Sequence, residues 1–394
     1  MSRKPKLLRV TTVPISMNIL LKGQLGFMNR FFDVSGVTSY DQKHFNEVVA
    51  REGVAMKAIE MKRTIAPVQD LVSLWKLYRH IKKLKPYIVH THTPKAGLIG
   101  MLAARLASVP VRLHTVAGMP LIETTGAKRM LLNIIERLTY SCAHRVYPNS
   151  NGLATIIREN NFCSPKKLKI IAGGSSNGIN TAHFSPSLDV SQKMEFRSRL
   201  GISKDAVLYC FVGRLCTEKG IRELVEAFIQ LQLRHENADV KLLLVGPFEK
   251  ENGELPAQAV QQIENTPNIV SVGRHDDIRP YLEISDVFVF PSYREGFPNV
   301  VLQAGAMELP CIVSDINGCN EIIIQNYNGL IVPVKNTERL LDEMEQLLLS
   351  SALRRKLASV ARKNVQEKYD QQMIWEALLA EYQSWVPKSV DKIQ

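Results

Sequence analysis

Apolar residues in this chain fall into short unbroken blocks, separated by longer stretches in which they recur every third or fourth position. A short apolar block bounded by turn residues reads as a strand buried on both faces, and the wider spacing reads as a helix with one wet face. The blocks predict strands over 7–13, 87–91, 111–116, 145–148 and 169–171 in the first half, with helices over 71–84, 97–107 and 128–143. A turn-rich stretch follows, from Asn177-Gly178-Ile179 to Pro186, and the linker is expected at 185–192. The pattern restarts at Val207. Strands are predicted over 207–212, 240–245, 269–272, 287–290, 311–314 and 329–332, and helices over 221–236, 256–264, 277–284, 298–307, 337–368 and 371–385. Strand alternating with helix implies an α/β fold with parallel sheets, here two doubly wound halves. Such halves present ligand sites at the carboxyl ends of their strands.

Composition adds limits. At 394 residues the chain exceeds one ordinary core, so two domains are expected. The formal net charge of +12 suits an anionic partner such as a nucleotide diphosphate or an anionic lipid headgroup. Nucleic acid is not expected, because the basic residues are dispersed and lack the interleaved aromatics of a strand-binding groove. No apolar run is long enough to span a bilayer, and the stretch Val10 to Ile19 is too interrupted for a signal peptide. The six cysteines form no Cys-x-x-Cys pair, which reads as reduced thiols and a cytosolic compartment.

The chemistry concentrates in three loops of the second half. After the apolar block at 287–290 comes Pro291-Ser292-Tyr293-Arg294-Glu295-Gly296-Phe297-Pro298-Asn299-Val300. Gly296 lets backbone approach a ligand, and Pro298 suits a first helical turn. The amides of Asn299, Val300 and Val301 are then free to hold a phosphate. Glu295 is either a ligand-facing carboxylate or a cap for that helix. The loop Gly213-Arg214-Leu215-Cys216-Thr217-Glu218-Lys219 leaves a strand and enters a helix. Arg214 can fork two phosphate oxygens, and Lys219 adds a point charge. Cations placed in advance stabilise a departing diphosphate. The third loop, Asp315 to Glu321, offers Gly318 backbone and Glu321 as further donor contacts, or merely a helix cap at Asn320 or Asp315.

In the first half the signal is weaker. His90-Thr91-His92 ends a strand, and two histidines at that spacing line a cleft or pack. Asp276-Asp277 lacks metal-ligand spacing, so no metal site is expected. Two basic amphipathic helices, over 71–85 and 128–145, suit either an anionic membrane surface or a sheet with a wet basic face.

These three loops resemble the donor site of the family-4 retaining glycosyltransferases, most closely over 207–333. The resemblance implies the GT-B architecture: an acceptor-binding Rossmann-like domain at 1–185, a donor-binding one at 193–370, and a segment 371–394 that packs back on the first. It implies transfer of a hexose or N-acetylhexosamine from a nucleotide sugar, chiefly a UDP-sugar, with no cofactor or metal besides that co-substrate. Arg214 and Lys219 would contact the diphosphate and Glu295 the sugar. Gly213, Gly296, Phe297, Pro298, Asn299, Val300, Gly318 and Glu321 would complete the donor site, with Arg274 near the base. Gln303 stands where the family has a second glutamate for the ribose. Ala117 stands where many members have a histidine. His114 lies three residues earlier, a spacing that turns it to the opposite strand face. Gly23, Gln24, His92 and His114 are the candidates for the acceptor side. The wording is closest to enzymes that build capsule, O-antigen or glycoprotein glycans on a polyprenyl-diphosphate lipid. Those act at the cytoplasmic membrane face, so peripheral contact with an anionic membrane is expected. A sugar-nucleotide epimerase and a non-catalytic sugar-nucleotide binder are the alternatives.

Overall fold

The computed structural model describes residues 4–64, 66–119, 121, 124–249 and 253–387. Two compact units emerge. One runs from the start of the chain to Asn177 and resumes at Gln371, and the other is Gly178–Asp370.

The first unit holds β1 (Lys6–Val10), β2 (Asp33–Thr38), β3 (Ala55–Ala58), β4 (Ile88–His92), β5 (Val111–Val116) and β6 (Arg145–Pro148). They form one sheet in the order β3-β2-β1-β4-β5-β6, every pair parallel. The second unit holds β7 (Val207–Val212), β8 (Val240–Val245), β9 (Ile269–Gly273), β10 (Val287–Phe290), β11 (Cys311–Ser314) and β12 (Gly329–Val332). Its order, β12-β11-β10-β7-β8-β9, repeats the first, again all parallel. Each sheet has the Rossmann order. The order in which successive strands are added reverses beside the opening strand, between β1 and β4 in one unit and between β7 and β10 in the other.

Burial explains the continuous apolar strands. Leu208, Tyr209, Cys210 and Phe211 are wholly buried, as are Phe288 and Val289 of β10. The Phe211 and Phe290 rings stack at 5.9 Å beneath the loops described below. In the first unit, Leu8 and Val10 face one helical layer while Leu7 faces the closing helix Gln371–Trp385 through Leu378 and Tyr382.

Three readings of the sequence change. Residues 169–171 form no strand of the sheet: Val146 and Leu168 make an isolated bridge, and the Lys169 amide donates to the Val146 carbonyl at 3.1 Å. β2 and β3 were not legible. β2 is broken by Ser35 and Gly36, and the edge strand β3 is mostly exposed, so it carries no apolar block. Residues 178–185, expected with the first domain, belong to the second unit. The Ile179 amide donates to the Tyr369 carbonyl at 2.9 Å, Thr181 donates to Asp370 at 2.7 Å, and Arg362 donates to the Phe184 and Thr181 carbonyls.

Candidate active site

The loops leaving β7 and β10 flank the reversal point of the second sheet, and they are tied together rung by rung. The Tyr293 amide donates to the Glu218 carbonyl at 2.9 Å. Arg294 pairs with Glu218 at 2.7 Å. Lys219 forms an ion pair with Glu295, both side chains being partly buried. The Lys219 ammonium also lies 5.4 Å from the centroid of the Phe290 ring, within cation–π reach. Two of the predicted catalytic groups are thus in contact, with opposite charges that neutralise each other.

A buried hydroxyl sets the carboxylate. Ser292 is fully buried, and its Oγ lies 3.2 Å from Glu295 Oε1 and 3.3 Å from the Glu218 carbonyl. Tyr293 anchors the same loop from behind, donating to both oxygens of buried Glu223 at 2.7 and 2.8 Å. Burial, then that hydrogen bond, raises the Tyr293 phenol above its ordinary range and keeps it a donor. Sequence reasoning passed over Ser292 and Glu223. The signal available was a serine and a tyrosine directly before the acid loop. Ser292→Ala is expected to lower kcat about tenfold, the worth of one charge-assisted hydrogen bond, with melting temperature little changed. Steady-state kinetics beside thermal unfolding checks it, and an unchanged kcat would leave Ser292 a purely structural group.

The next strand adds the third loop. Gly318 has φ 76°, and a Cβ there would lie 2.8 Å from the Gly296 carbonyl oxygen and 2.9 Å from Pro298 Cδ. Only glycine lets the β11 loop rest against the Glu295 loop. Gly318→Ala should therefore open both loops and destabilise the unit by roughly 1–3 kcal/mol, with weaker nucleotide binding. Calorimetry with UDP and a melting curve measure the two effects. On the other side, Gly220 packs so tightly that a Cβ would lie 2.1 Å from the Pro291 carbonyl oxygen. That fixes the end of the Lys219 turn against the β10 loop.

The helix Asn299–Ala306 starts beside Glu295. Pro298 is its N-cap, one residue outside the expected first turn, and no side chain caps the helix. Its Val301 amide is spent on the Pro298 carbonyl at 3.1 Å, so that predicted anion donor is withdrawn. The Asn299 and Val300 amides have no partner among the described residues and remain suited to a phosphate. Gln303 lies in the second turn, half-buried, nearer the helix start than the two turns expected. The Phe297 side chain is buried against Tyr369, ring centroids 5.4 Å apart, so only its backbone can meet a ligand. Glu321 stands in the short helix Cys319–Ile322 behind Gly318, half-buried. The Cys319 thiol beneath it is fully buried, and burial followed by the Glu295 charge pushes it well above its usual range. It is inert.

Two other predicted residues, Arg214 of the catalytic set and Arg274 of the donor set, pair with carboxylates outside the Glu295 loop. Arg214 follows Gly213 on the β7 loop and pairs with Glu249 at 2.8 Å rather than with the Glu295 loop. Burial works against its charge, but the Glu249 hydrogen bond and nearby anions outweigh it, and the guanidinium titrates above its ordinary range. Arg274 is exposed beyond β9, the far edge strand, with Asp276 at 3.6 Å.

The acceptor candidates sit in the first unit. The Gly23 amide donates to Glu52 at 2.8 Å. Gln24 is fully buried, accepting from Arg9 at 2.7 Å and donating to the Ser176 carbonyl at 3.0 Å. His92 accepts from Arg9 at 2.7 Å. His114 is buried, 2.8 Å from the Thr91 hydroxyl, and a Cβ on Gly97 would lie 2.5 Å from its ring. Burial lowers it to about 4, against a hydrogen bond to Thr91. His114 is a neutral packing residue and is withdrawn from the acceptor set. Among the described residues no group of three or more His, Cys, Asp or Glu is placed to hold a metal ion.

Comparison with known proteins gives the family and the fold. Residues 192–364 match the family model described as glycosyl transferases group 1, and 26–174 match a glycosyl transferase 4-like domain. The chain is 32% identical over 390 residues to a Staphylococcus aureus protein, the capsular polysaccharide biosynthesis glycosyltransferase CapM. That match covers 99% of this chain and 100% of the relative. It is 31% identical over 287 residues to an Escherichia coli UDP-Gal:alpha-D-GlcNAc-diphosphoundecaprenol alpha-1,3-galactosyltransferase, covering 72% of this chain and 71% of that one. Among solved structures, the fold is similar to Anabaena Alr3699/HepE in complex with UDP. The TM-score is 0.78 at 16% identity, over 97% of this chain and 100% of the other.

Proposed function

This chain belongs to the group 1 glycosyl transferases, and from that premise we propose that it moves a hexose or N-acetylhexosamine from a UDP-sugar onto a polyprenyl-diphosphate-linked glycan, with retention of configuration, in surface-polysaccharide assembly. Membership of a transferase family displaces the epimerase and the non-catalytic binder. One observation carries the residue assignment: Lys219 and Glu295 meet at the reversal point of the second sheet, beside the uncapped start of Asn299–Ala306.

An arriving diphosphate competes with Glu295 for Lys219 and takes the Asn299 and Val300 amides. Glu295, released, accepts hydrogen bonds from sugar hydroxyls. As the glycosidic bond breaks, charge grows on the leaving phosphate, where the Lys219 ammonium and the helix start stabilise it. The leaving phosphate oxygen can take the acceptor's proton, so no protein nucleophile is required. Gln303, with one carbonyl acceptor and no charge, holds the ribose less tightly than a carboxylate would.

The relatives' names support the substrate classes, since one is a capsular enzyme and another uses a UDP-sugar and a diphosphoundecaprenol acceptor. The test is UDP release from a panel of UDP- and GDP-sugars, with and without polyprenyl-diphosphate GlcNAc. Lipid-dependent release from one UDP-sugar is expected. Donor binding without turnover on any such lipid would remove the acceptor class.

We place the acceptor in the first unit and the reaction at the inner face of the cytoplasmic membrane. No helix among the described residues is long and apolar enough to cross a membrane. The helix Gly126–Cys142 supports a peripheral contact because its pattern is inverted. Glu136, Thr139 and Tyr140 are buried, while Met130, Leu131, Ile134 and Leu138 face outward beside Lys128 and Arg137. Burial raises the Glu136 carboxyl to about 6. The helix Pro67–Leu84 also exposes Val68, Leu71 and Trp75 beside Lys76 and Arg79. Outward apolar residues flanked by cations fit an anionic lipid surface. Ile134→Glu is expected to weaken binding to phosphatidylglycerol vesicles about tenfold or more, from lost apolar burial and added like charge. Vesicle co-sedimentation measures it, and unchanged partition would exclude this face.

A further inference from the structure

Three buried polar atoms without hydrogen-bond partners line one small cavity in the first unit: His92 Nδ1, Asn149 Oδ1 and Ser176 Oγ. The cavity lies at the carboxyl ends of β4, β5 and β6, with Thr115 and Tyr147 on its wall and Ile374 and Leu378 of the closing helix over it. It offers about 20 Å³ to the centre of a water-sized sphere, room for one or two oxygen atoms. Buried polar groups are almost always paired, so three orphans around one space call for a polar occupant.

The protonation of His92 follows from its neighbour. Arg9 is wholly buried on β1, and its Nη2 donates to Gln24 Oε1 and to His92 Nε2, each at 2.7 Å. A guanidinium only donates, so His92 Nε2 is the accepting nitrogen and the proton sits on Nδ1. His92 Nδ1–H is therefore a buried donor directed at the cavity. Burial and the Arg9 charge hold the imidazole well below its usual range, so the ring stays neutral. Arg9 makes no direct ion pair among the described residues: Glu52 and Tyr382 act on its charge from nearby without outweighing its burial, and its Nε and Nη1 lack partners. A buried cation with no anion in direct contact is costly, and further negative charge placed nearby recovers part of that cost. Ser176 is held at the cavity by Gln24, which donates to the Ser176 carbonyl and to Asn177 Oδ1. A half-turn of the Asn149 amide presents its NH₂ to the same space.

We propose that this cavity is a subsite for one phosphoryl oxygen of the acceptor, bound by His92 Nδ1–H, the Ser176 hydroxyl and the Asn149 amide, with Arg9 fixing the His92 tautomer and supplying charge. It rests on the polyprenyl-diphosphate acceptor proposed above. The chemistry recognised is a phosphoryl oxygen, whether borne by a lipid diphosphate or by free phosphate.

Two substitutions of one residue separate the subsite from simple packing. Asparagine carries an amide near the position of Nδ1, and glutamine carries one near Nε2. His92→Gln keeps a partner for Arg9 and loses the donor to the cavity. His92→Asn does the reverse. The acceptor KM is measured with short-chain polyprenyl-diphosphate GlcNAc and with the alkyl glycoside of the same sugar. In the wild type the diphosphate acceptor should have the lower KM. His92→Gln should shrink that preference about tenfold, the worth of one charge-assisted hydrogen bond, and His92→Asn should retain more of it. A purely structural His92 gives the opposite order, and that order would overturn the subsite. So would a wild type that does not distinguish the two acceptors.

A second arm stands apart from transfer. Inorganic phosphate is titrated into the full chain saturated with UDP, and the His92 Nδ1 resonance, assigned by its loss in His92→Asn, is followed by NMR. A saturable shift supports the subsite even if no polyprenyl acceptor is used, in which case only the acceptor reading fails. No shift means the cavity holds water alone, and the subsite is wrong.

Discussion

Glu295→Ala is expected to lower kcat/KM about 10²–10³-fold while the second unit stays folded. The carboxylate can accept from two sugar hydroxyls, and each charge-assisted bond is worth about 1.5–3 kcal/mol where water is excluded. The structural cost is small, because the side chain is held by Lys219 and Ser292 at the rim of the core and supports no strand. Glu295→Gln separates charge from shape: it keeps one carbonyl acceptor and gives up the ion pair. Its activity should fall between wild type and Glu295→Ala. Kinetics on the cognate donor, with a melting curve for each variant, decides. A Glu295→Ala enzyme within threefold of wild type would take the carboxylate out of the site.

Lys219→Ala should cost a similar factor, about 10²–10³ in kcat, as when one donor to a developing anion is removed. In the free protein its charge and that of Glu295 cancel. Without the lysine, an uncompensated carboxylate faces the incoming diphosphate, so binding should suffer as well as turnover. Salt gives a second readout. Wild-type affinity for UDP should weaken as ionic strength rises, and the variant should show a flatter dependence. Because the two groups act through one pair, Lys219→Ala combined with Glu295→Ala should cost less than the two losses combined. Additive losses would mean that the lysine and the carboxylate work independently.

The second unit was more legible than the first for a physical reason. All its strands but the edge strand β9 are almost wholly buried, so Val287–Phe290 and Cys311–Ser314 stand out as unbroken apolar blocks. In the first unit, β2 carries Asp33, Ser35 and Gly36, and β3 is an exposed edge, so neither produces that signal. The site shows the same contrast. Loop residues such as Glu295, Lys219 and Gly318 act through type and position, and strand-to-helix spacing locates them. Arg214 and Arg274 needed partner information: Glu249 and Asp276 come from other turns of chain or from the same exposed loop, and no spacing rule points a guanidinium at one carboxylate over another. His92 looked like one of two interchangeable histidines. Only the buried Arg9, remote in sequence, distinguishes its two nitrogens.

The division at Asn177 and Gln371 bears on how the protein is made. The ribosome delivers the whole of Gly178–Asp370, about 190 residues, before the helix that completes the first unit. At 5–20 residues per second that interval is roughly 10–40 s. During it the sheet face carrying Arg9, His90 and Tyr147 lacks Tyr382, which later meets the His90 ring at 2.5 Å. The second unit, contiguous in sequence, can finish folding first. A stop codon just after Asp370 would thus spare the later-made unit and leave the earlier-made one unfinished.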